Sequence, residues 1–194
     1  MTVENDKIIR TSEAKFRTSE ENDERIIEGY FAVFDDTYDM GEDFSGRRLT
    51  ETIEKTAFNN SLGGDIRVLA NHDTTLVLGR TAAGTATVTA DEHGVYVRCK
   101  VNPDDTDAMN VYARLRRGDV SQASFGAYIR GEKREEDKEA KTVHYTLTDI
   151  EVFEFSVCTF PAYEATSVGA RNRDGGDELR RWKNEMKERY SKWH

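Results

Sequence analysis

Short runs in which apolar and polar residues alternate constrain the fold of this chain more than any other feature of its sequence. In GVYVRCKV, residues 94–101, the apolar residues Val95, Val97, Cys99 and Val101 are separated by larger or charged ones. Period-two alternation places one set of side chains on a buried face and the other in water, as in a β-strand. Similar strand-like runs occupy residues 26–34, 65–72, 75–92, 121–130 and 142–160.

These runs outnumber the helical segments, and several follow one another as predicted hairpins. The runs 121–130 and 142–160 are separated by the charged segment GEKREEDKEAK, which predicts a hairpin with a solvated loop at 131–141, its second strand closed by Pro161. The sequence therefore predicts a mainly β fold with peripheral helices (α+β), in which a largely antiparallel sheet curls into a compact barrel.

Helical periodicity marks three other segments. Residues 102–120 predict a helix with an N-cap at Asp105 or Thr106 and with Gly118 just after its last turn. Residues 49–62 space their apolar side chains for a short second helix, which follows a predicted loop at 37–48. Residues 172–194 predict a charged third helix with one apolar stripe.

A chain of 194 residues is long enough for one hydrophobic core, and nothing in the pattern indicates a second. We predict a charged N-terminal arm at 1–25, a β-barrel domain at 26–171 and a charged helical tail at 172–194. The glycine pair Gly175–Gly176 sets the tail helix off from the domain, so it can pack on the domain or on a partner.

The net charge of -9 argues against nucleic acid and anionic membranes as partners, because both are negatively charged. The first ten residues lack a signal-peptide core, and no apolar run approaches a membrane span, so we expect a soluble cytoplasmic protein. Cys99 and Cys158 are predicted to be buried free thiols. The histidines and cysteines lack metal-ligand spacing, so neither a metal nor another cofactor is expected.

Ser124 is the first residue that could carry chemistry. Alternation places Ala123 and Phe125 on the apolar face of its strand and Ser124 on the other, pointing away from the core. The neighbouring Gly126 is expected to leave room for a substrate, and a serine so placed can act as a nucleophile if a base reaches it. An ordinary surface serine is the alternative.

His72, at the end of an apolar run, is the candidate base, because imidazole titrates near neutral pH. Asp73 follows it directly, but neighbours along a strand point to opposite faces, so Asp73 is predicted to shape a turn before Thr74 and Thr75 rather than to hold the His72 ring. A third catalytic residue, if there is one, must come from elsewhere in the chain.

Glu154 is the candidate for that third role. It shares one face of its strand with apolar residues, where a carboxylate needs a partner, and that partner is either a histidine or a neighbouring arginine. His144 and Asp149 lie on the same predicted hairpin and compete with Glu154.

Four segments, in their order along the chain, resemble the tailed-bacteriophage prohead protease family, whose serine peptidases process capsid and scaffold during head maturation. EGYFAVFDD resembles the opening strand of that family, RVLANHD with LGRT its histidine segment, GDVSQASFGAY its serine segment, and FEFSVCTFPAY its closing strand. The resemblance covers about residues 26–171. Gln122 stands where the family often has glycine, and Ala127 where it often has a bulky apolar residue.

The resemblance implies that His72 is the catalytic histidine, Ser124 the nucleophile and Glu154 the third member, although the related herpesvirus assemblins use a second histidine there. It also implies an assemblin-like barrel. The implied reaction is a serine endopeptidase mechanism through an acyl-enzyme, with oxyanion stabilisation expected from backbone amides near Gly126 and from Arg80.

The implied substrates are the scaffold, the N-terminal scaffold-like segment of the major capsid protein and the chain itself, inside the assembling prohead in the host cytoplasm. A homodimer is left open, since assemblins pair through a helix. Two alternatives differ in class: a catalytically inactive scaffold or capsid-assembly protein on the same fold, and an unrelated barrel that binds a small ligand.

Overall fold

The computed structural model describes residues 7–13, 16–21 and 24–159. Over these ranges it is mainly β, which confirms the predicted fold class. The predicted tail helix and Pro161 lie outside the described residues. The strands are β1 (Lys7–Glu13), β2 (Arg17–Glu21), β3 (Glu24–Val33), β4 (Tyr38–Glu42), β5 (Arg48–Ile53), β6 (Arg67–Ala70), β7 (Asp73–Arg80), β8 (Ala86–Ala90), β9 (Gly94–Val101), β10 (Gln122–Asp137) and β11 (Thr142–Cys158), with a 3₁₀ turn at Thr81–Ala83 and one described α-helix, α1 (Thr106–Arg117).

The strands form two sheets that share one core. A seven-stranded sheet runs in the order β1-β10-β11-β5-β4, with β6 also pairing with β11 and β7 with β6. A four-stranded sheet has the order β2-β3-β9-β8. Aromatic rings join the sheets: Phe31 of β3 in the four-stranded sheet meets Phe155 of β11 in the seven-stranded sheet edge-on, at 5.7 Å between ring centroids.

The seven-stranded sheet is mixed rather than antiparallel, because β5 and β6 both run parallel to β11. The described strands do not close into a barrel. Part of the predicted N-terminal arm also belongs to this architecture: β1 pairs with β10 in one sheet and β2 with β3 in the other. The exact limits of the domain stay a prediction.

The predicted helix at 49–62 is wrong. Leu49, Glu51 and Ile53 alternate as the buried residues of β5, and the segment after it is a series of turns that bury Ala57 and Phe58. Pairing with the first third of β11 satisfies the backbone groups of β5 and outweighs the weak helical spacing. The predicted loop at 37–48 likewise contains β4, which pairs with β5.

The helix α1 is confirmed where the sequence placed it. The Asp105 side chain accepts hydrogen bonds from the backbone N–H groups of Asp107 and Ala108 at 3.0 and 3.1 Å, which makes it the N-cap. Gly118 follows the last turn with φ 88°, a left-handed conformation that glycine adopts without strain.

The hairpin of β10 and β11 is longer than the sequence predicted. The charged segment at 131–141 was expected as a loop, but β10 continues through it to Asp137, and only residues 138–141 turn. Exposed charged side chains are compatible with a strand whose backbone is paired, and here Glu132–Asp137 pair with Thr142–Leu147. The two ends of this hairpin are therefore far apart in the sheet.

Candidate functional site

His72 lies in a two-residue turn between β6 and β7. Ala70 and Asp73 are paired across the turn, and the two connecting residues, Asn71 and His72, have φ angles of 52° and 58°. Positive φ at both positions is the pattern of a type I′ turn, which accepts asparagine readily but strains a histidine. His72 is therefore held in a conformation that its own backbone preference opposes.

The end of β11 holds this turn in place. The backbone N–H of Asn71 donates to the carbonyl of Val157 at 2.9 Å, and the Asn71 side-chain oxygen accepts from the N–H of Thr159 at 2.9 Å. The N–H of His72 donates to Ser156 Oγ at 3.1 Å. Two hydrogen bonds to β11 and one to the residue that follows it thus fix the position from which the His72 side chain extends.

The sequence predicted that Asp73 does not hold the His72 ring, and the structure agrees. The physical reason, however, differs from the one predicted. Its Oδ1 accepts from the N–H and the hydroxyl of Thr75 at 2.8 and 2.6 Å. The prediction assumed that His72 and Asp73 are successive residues of one strand. The structure places His72 in the turn and begins β7 at Asp73.

The His72 ring is paired with Glu154. Nδ1 of His72 lies 2.6 Å from Glu154 Oε1, and the glutamate is 5% exposed. A carboxylate only accepts hydrogen bonds, so Nδ1 carries the proton and Nε2 is left as an acceptor in the neutral ring. Of the two partners that the sequence left open for Glu154, the structure selects the histidine.

Ser156 supports this pair, and sequence reasoning gave it no role. Its hydroxyl accepts from the His72 N–H and donates to Glu154 Oε2 at 2.7 Å. Both carboxylate oxygens are therefore hydrogen-bonded, which offsets the cost of burying the charge. The signal was present in the alternation, because Glu154 and Ser156 occupy the same face of β11 two residues apart.

Gly126 makes space for Glu154 rather than for a substrate, which corrects the expectation from sequence. It is the residue of β10 opposite Glu154, and a Cβ atom there would lie 2.3 Å from Glu154 Oε1 and 2.8 Å from the Phe153 ring. Both are too close for any side chain, so only glycine allows the carboxylate to reach His72 from this direction.

Ser124 is buried, whereas the sequence predicted an open position. Its exposed fraction is 0%, and its Oγ donates to the backbone carbonyl of Arg10 in β1 at 2.7 Å. Alternation did assign its face, since Ser124 pairs across the hairpin with Ser156. The prediction failed on exposure because it left β1 out of the sheet.

Cys158 contacts the free edge of the His72 ring. Its Sγ lies 3.7 Å from His72 Nε2, its S–H donates to the Ser156 carbonyl at 3.9 Å, and the Ser124 side chain is a neighbour that lowers the pKa of the thiol. Burial, and after it the negative charge of Glu154, raises the pKa of the Cys158 thiol to about 12, so the S–H form persists at neutral pH. Both cysteines are free and buried, as predicted.

The other candidates lie elsewhere. His144 bonds through its two ring nitrogens to the hydroxyls of Thr50 and Thr52 at 2.8 and 3.0 Å, and Asp149 accepts from the Asn60 side chain at 3.4 Å. Arg80, expected near the oxyanion, forms two hydrogen bonds with Asp65 at the opposite end of β7 from His72, which removes the reason to place it at the site.

Within the described ranges, no group of three or more histidine, cysteine, aspartate or glutamate side chains could hold a metal ion. No helix in the described part of the chain is long and apolar enough to cross a membrane. The described site therefore brings together a hydroxyl, a thiol, an imidazole and a buried carboxylate. A hydroxyl whose oxygen reaches the free ring nitrogen of such an imidazole can pass its proton to the ring, because the carboxylate stabilises the charged form.

Comparisons with known proteins point to the same chemistry. A family model described as caudovirus prohead serine protease matches residues 12–179. The prohead protease of Enterobacteria phage HK97 is 28% identical over 180 residues, which cover 90% of this chain and 72% of that protein. No solved structure matches the chain significantly.

Proposed function

The chain belongs to the caudovirus prohead serine proteases, and from this premise we propose that Ser124, His72 and Glu154 together cleave peptide bonds during head maturation. Family membership makes the chain a phage head maturation protease and confirms the resemblance found in the sequence motifs. What remains to be assigned is which residues perform the reaction and on which substrates.

The observation that carries the assignment is the pair between the half-buried His72 and the buried Glu154, with Nδ1 and Oε1 2.6 Å apart. It gives His72 a fixed tautomer with Nε2 as the acceptor, which a general base requires. The Ser156 hydroxyl is already bonded to Glu154, whereas Ser124 neighbours Cys158, whose Sγ lies 3.7 Å from Nε2. A surface serine without a base would have no such connection.

The proposed reaction proceeds in two halves. Ser124 Oγ attacks the substrate carbonyl carbon while its proton passes to His72 Nε2, and the imidazolium then gives that proton to the leaving amine, which forms an acyl-enzyme. Water attacks the acyl carbon with His72 again as base, and Ser124 regains its proton. Glu154 stabilises the charged imidazolium in both halves, and backbone amides near Gly126 are proposed to bind the oxyanion.

A short side-chain movement is needed before this reaction. In the structure, Ser124 Oγ donates to the Arg10 carbonyl, and the Cys158 Sγ lies 3.7 Å from His72 Nε2. Rotation of Ser124 about χ1 away from Arg10 is proposed to bring Oγ to Nε2, since catalytic hydrogen bonds commonly tighten only when substrate is bound.

The substrates follow from the family. We assign this chain the scaffold, the N-terminal scaffold-like segment of the major capsid protein, and its own chain as substrates, inside the assembling prohead in the host cytoplasm. Its net charge of -9 supports protein partners rather than nucleic acid or membrane. Two further proposals are a homodimer and an assemblin-like barrel that stays open where the described strands do not pair, supported by the core that the two sheets share.

Co-expression of the chain with its capsid protein tests the assignment. Wild type is compared with Ser124→Ala, and Ser121→Ala is the matched control, because Ser121 is exposed and immediately precedes β10. Cys158→Ala belongs to the same set, since its thiol is also next to His72 Nε2. Cleavage products are read by mass spectrometry, and folding of each variant by its thermal unfolding.

The expected result is cleavage by wild type and by Ser121→Ala, and none by folded Ser124→Ala. Cleavage that survives Ser124→Ala but is lost in folded Cys158→Ala would move the nucleophile to the thiol. Identical capsid patterns with and without the protein would favour the inactive assembly subunit instead.

A further inference from the structure

The first described strand lies directly over the proposed nucleophile. β1 pairs antiparallel with β10 from Lys7 opposite Tyr128 to Glu13 opposite Gln122, with Thr11 opposite Ser124. It is the edge strand of the seven-stranded sheet on this side. Because the Arg10 carbonyl accepts from Ser124 Oγ at 2.7 Å, β1 contributes directly to the burial of that hydroxyl.

A peptide substrate needs the same place. Peptides often bind a sheet by adding an extended strand to its edge, and a scissile carbonyl must lie about 3 Å from the nucleophile. The edge of β10 beside Ser124 is the edge that β1 fills, and the Arg10 carbonyl lies where a substrate carbonyl would lie. In this arrangement the Ser124 hydroxyl donates a hydrogen bond to the Arg10 carbonyl oxygen, and β1 lies where a substrate strand would have to bind.

The Arg10 side chain adds recognition to this backbone pairing. Its Nη2 lies 2.7 Å from Glu51 Oε2, and its Nε pairs with the other oxygen of the same carboxylate. Glu51 is 0% exposed and the Arg10 side chain is 12% exposed. A buried carboxylate that loses its cation is strongly destabilised, so whatever lies along this edge must supply a positive charge at this register.

The two members of this ion pair differ in their relation to the family. The family match begins at residue 12, so Glu51 lies inside it and Arg10 before it. The carboxylate thus belongs to the part of the chain shared with the proteases. Its cation comes from a segment that precedes this part.

We propose that β1 is an intramolecular occupant of the substrate-binding edge of β10, and that Glu51 selects peptides with an arginine or lysine at the register of Arg10. The proposal rests on the function assigned to Ser124. In the resting chain β1 blocks Ser124. A substrate segment with a basic side chain replaces it and satisfies Glu51 in turn.

The covalent link between β1 and the rest of the chain explains why β1 occupies the edge of β10 until the substrate concentration is high. A segment attached by a few residues competes at an effective concentration in the millimolar range, and the apparent affinity for substrate falls by the fraction of chains with a free edge. Inside a closed shell that is filled with scaffold and capsid protein, substrate is abundant enough to compete. The device therefore favours cleavage after assembly.

The test loosens β1 and then restores the strand in trans. Arg10→Ala is compared with wild type in the full chain, with Arg17→Ala on β2 as an exposed-arginine control. Two peptides are added to the Arg10→Ala chain, KIIRTSE with the sequence of β1 and KIIATSE with alanine at the register of Arg10. Peptide binding is measured by fluorescence anisotropy and capsid cleavage by product formation.

Arg10→Ala is expected to raise the initial cleavage rate, and KIIRTSE to return it to the wild-type level while binding at least about tenfold more tightly than KIIATSE. In the double variant Arg10→Ala, Glu51→Gln the two peptides should bind alike. This double variant also removes the negative charge that Arg10 neutralises, so it remains informative if Arg10→Ala alone unfolds.

The two hypotheses fail differently. If Ser124-dependent cleavage occurs but Arg10→Ala does not accelerate it and both peptides bind equally, β1 is an ordinary edge strand and this proposal is wrong. If cleavage never depends on Ser124, the assigned function fails. Anisotropy still shows in that case whether the edge of β10 prefers the arginine peptide.

Discussion

The two ends of the β10–β11 hairpin both carry polar side chains but surround them differently. At the end beside His72, called the near end, residues 122–126 and 154–158 meet; Ser124, Glu154 and Ser156 are buried there, and Ser156 donates to Glu154. At the far end, Glu132–Asp137 with Thr142–Leu147, the charged side chains of β10 are exposed. Both ends have the same kind of paired backbone. The difference in side-chain exposure therefore depends on which loops and strands cover each end.

The histidines at the two ends show what that covering does. At the near end His72 meets a buried carboxylate, whereas at the far end the ring nitrogens of His144 meet two threonine hydroxyls. A carboxylate stabilises the charged imidazole, but hydroxyls can satisfy a neutral ring equally well. Of the two ends, the near end is therefore the one that places a carboxylate against a histidine ring.

Replacing each histidine by alanine tests this contrast most strongly. His72→Ala removes the base, and the rate of capsid cleavage should fall on the order of 10⁵-fold. His144→Ala removes two surface-side hydrogen bonds and should leave the rate within about threefold of wild type. Initial rates of product formation measure both, and a larger loss in folded His144→Ala would reverse the roles of the two ends.

The next largest effect is expected from removing one negative charge at each end. Glu154→Gln leaves a hydrogen-bonding side chain beside His72 but no charge to stabilise the imidazolium, so the cleavage rate should fall roughly 10⁴-fold. Glu135→Gln is the control, because Glu135 is exposed and pairs across the strands with His144. A folded Glu154→Gln protein with near-normal activity would show that the carboxylate only supports the structure.

The sequence predicted the strands and the faces of the near end but not its contacts. Alternation placed Ser124, Glu154 and Ser156 on one face, and α1 was predicted with both of its caps. The turn at Asn71–His72 was missed because a histidine with positive φ has no sequence signature. The burial of Ser124 was missed because it depends on β1, whose pairing partner is more than 100 residues away in sequence.

Errors at the far end had a different physical origin. Charged residues at 131–141 predict a loop, yet residues 132–137 form a strand whose side chains are all exposed, because its backbone is paired with β11 and needs no buried face. The residues of β5 have weak helical spacing, and a parallel partner 94 residues away decides their conformation, as for Thr50 and His144. Local patterns cannot show partners at such separations.

Adding one methyl group to a glycine at each end should produce the third largest effect. Gly126→Ala would place Cβ 2.3 Å from Glu154 Oε1, so the carboxylate must move and the cleavage rate should fall about 10²-fold. Gly131→Ala would place Cβ 2.7 Å from the Thr148 hydroxyl, which affects packing but not the pair with His72. Each variant is checked by cleavage rate and thermal midpoint, and equal activity losses would mean that strand distortion explains both.

The smallest expected effect is on the pH dependence of stability, where the two ends should have opposite signs. At the far end, hydrogen bonds from Arg134 and then Arg47 lower the pKa of Glu136. Glu136 therefore adds to the free energy of unfolding above its unfolded-state pKa, and this contribution is lost as pH falls through its folded-state pKa. At the near end the pKa of Cys158 is raised from 9.0 to about 12. Its contribution is therefore present below pH 9 and is lost as pH rises from there towards 12.

Thermal midpoints across this pH range separate the two contributions. Glu136→Gln should make the thermal midpoint less dependent on pH in the acid range only. The change should be small, since solvent screens an exposed ion pair. Cys158→Ala should make the thermal midpoint less dependent on pH in the alkaline range only. Part of that dependence should remain, because burial raises the pKa of Cys99 to about 12 as well. If Cys158→Ala left the alkaline slope unchanged, the Cys158 thiol would have the same pKa in the folded and unfolded protein, and burial would not be what keeps it in the S–H form.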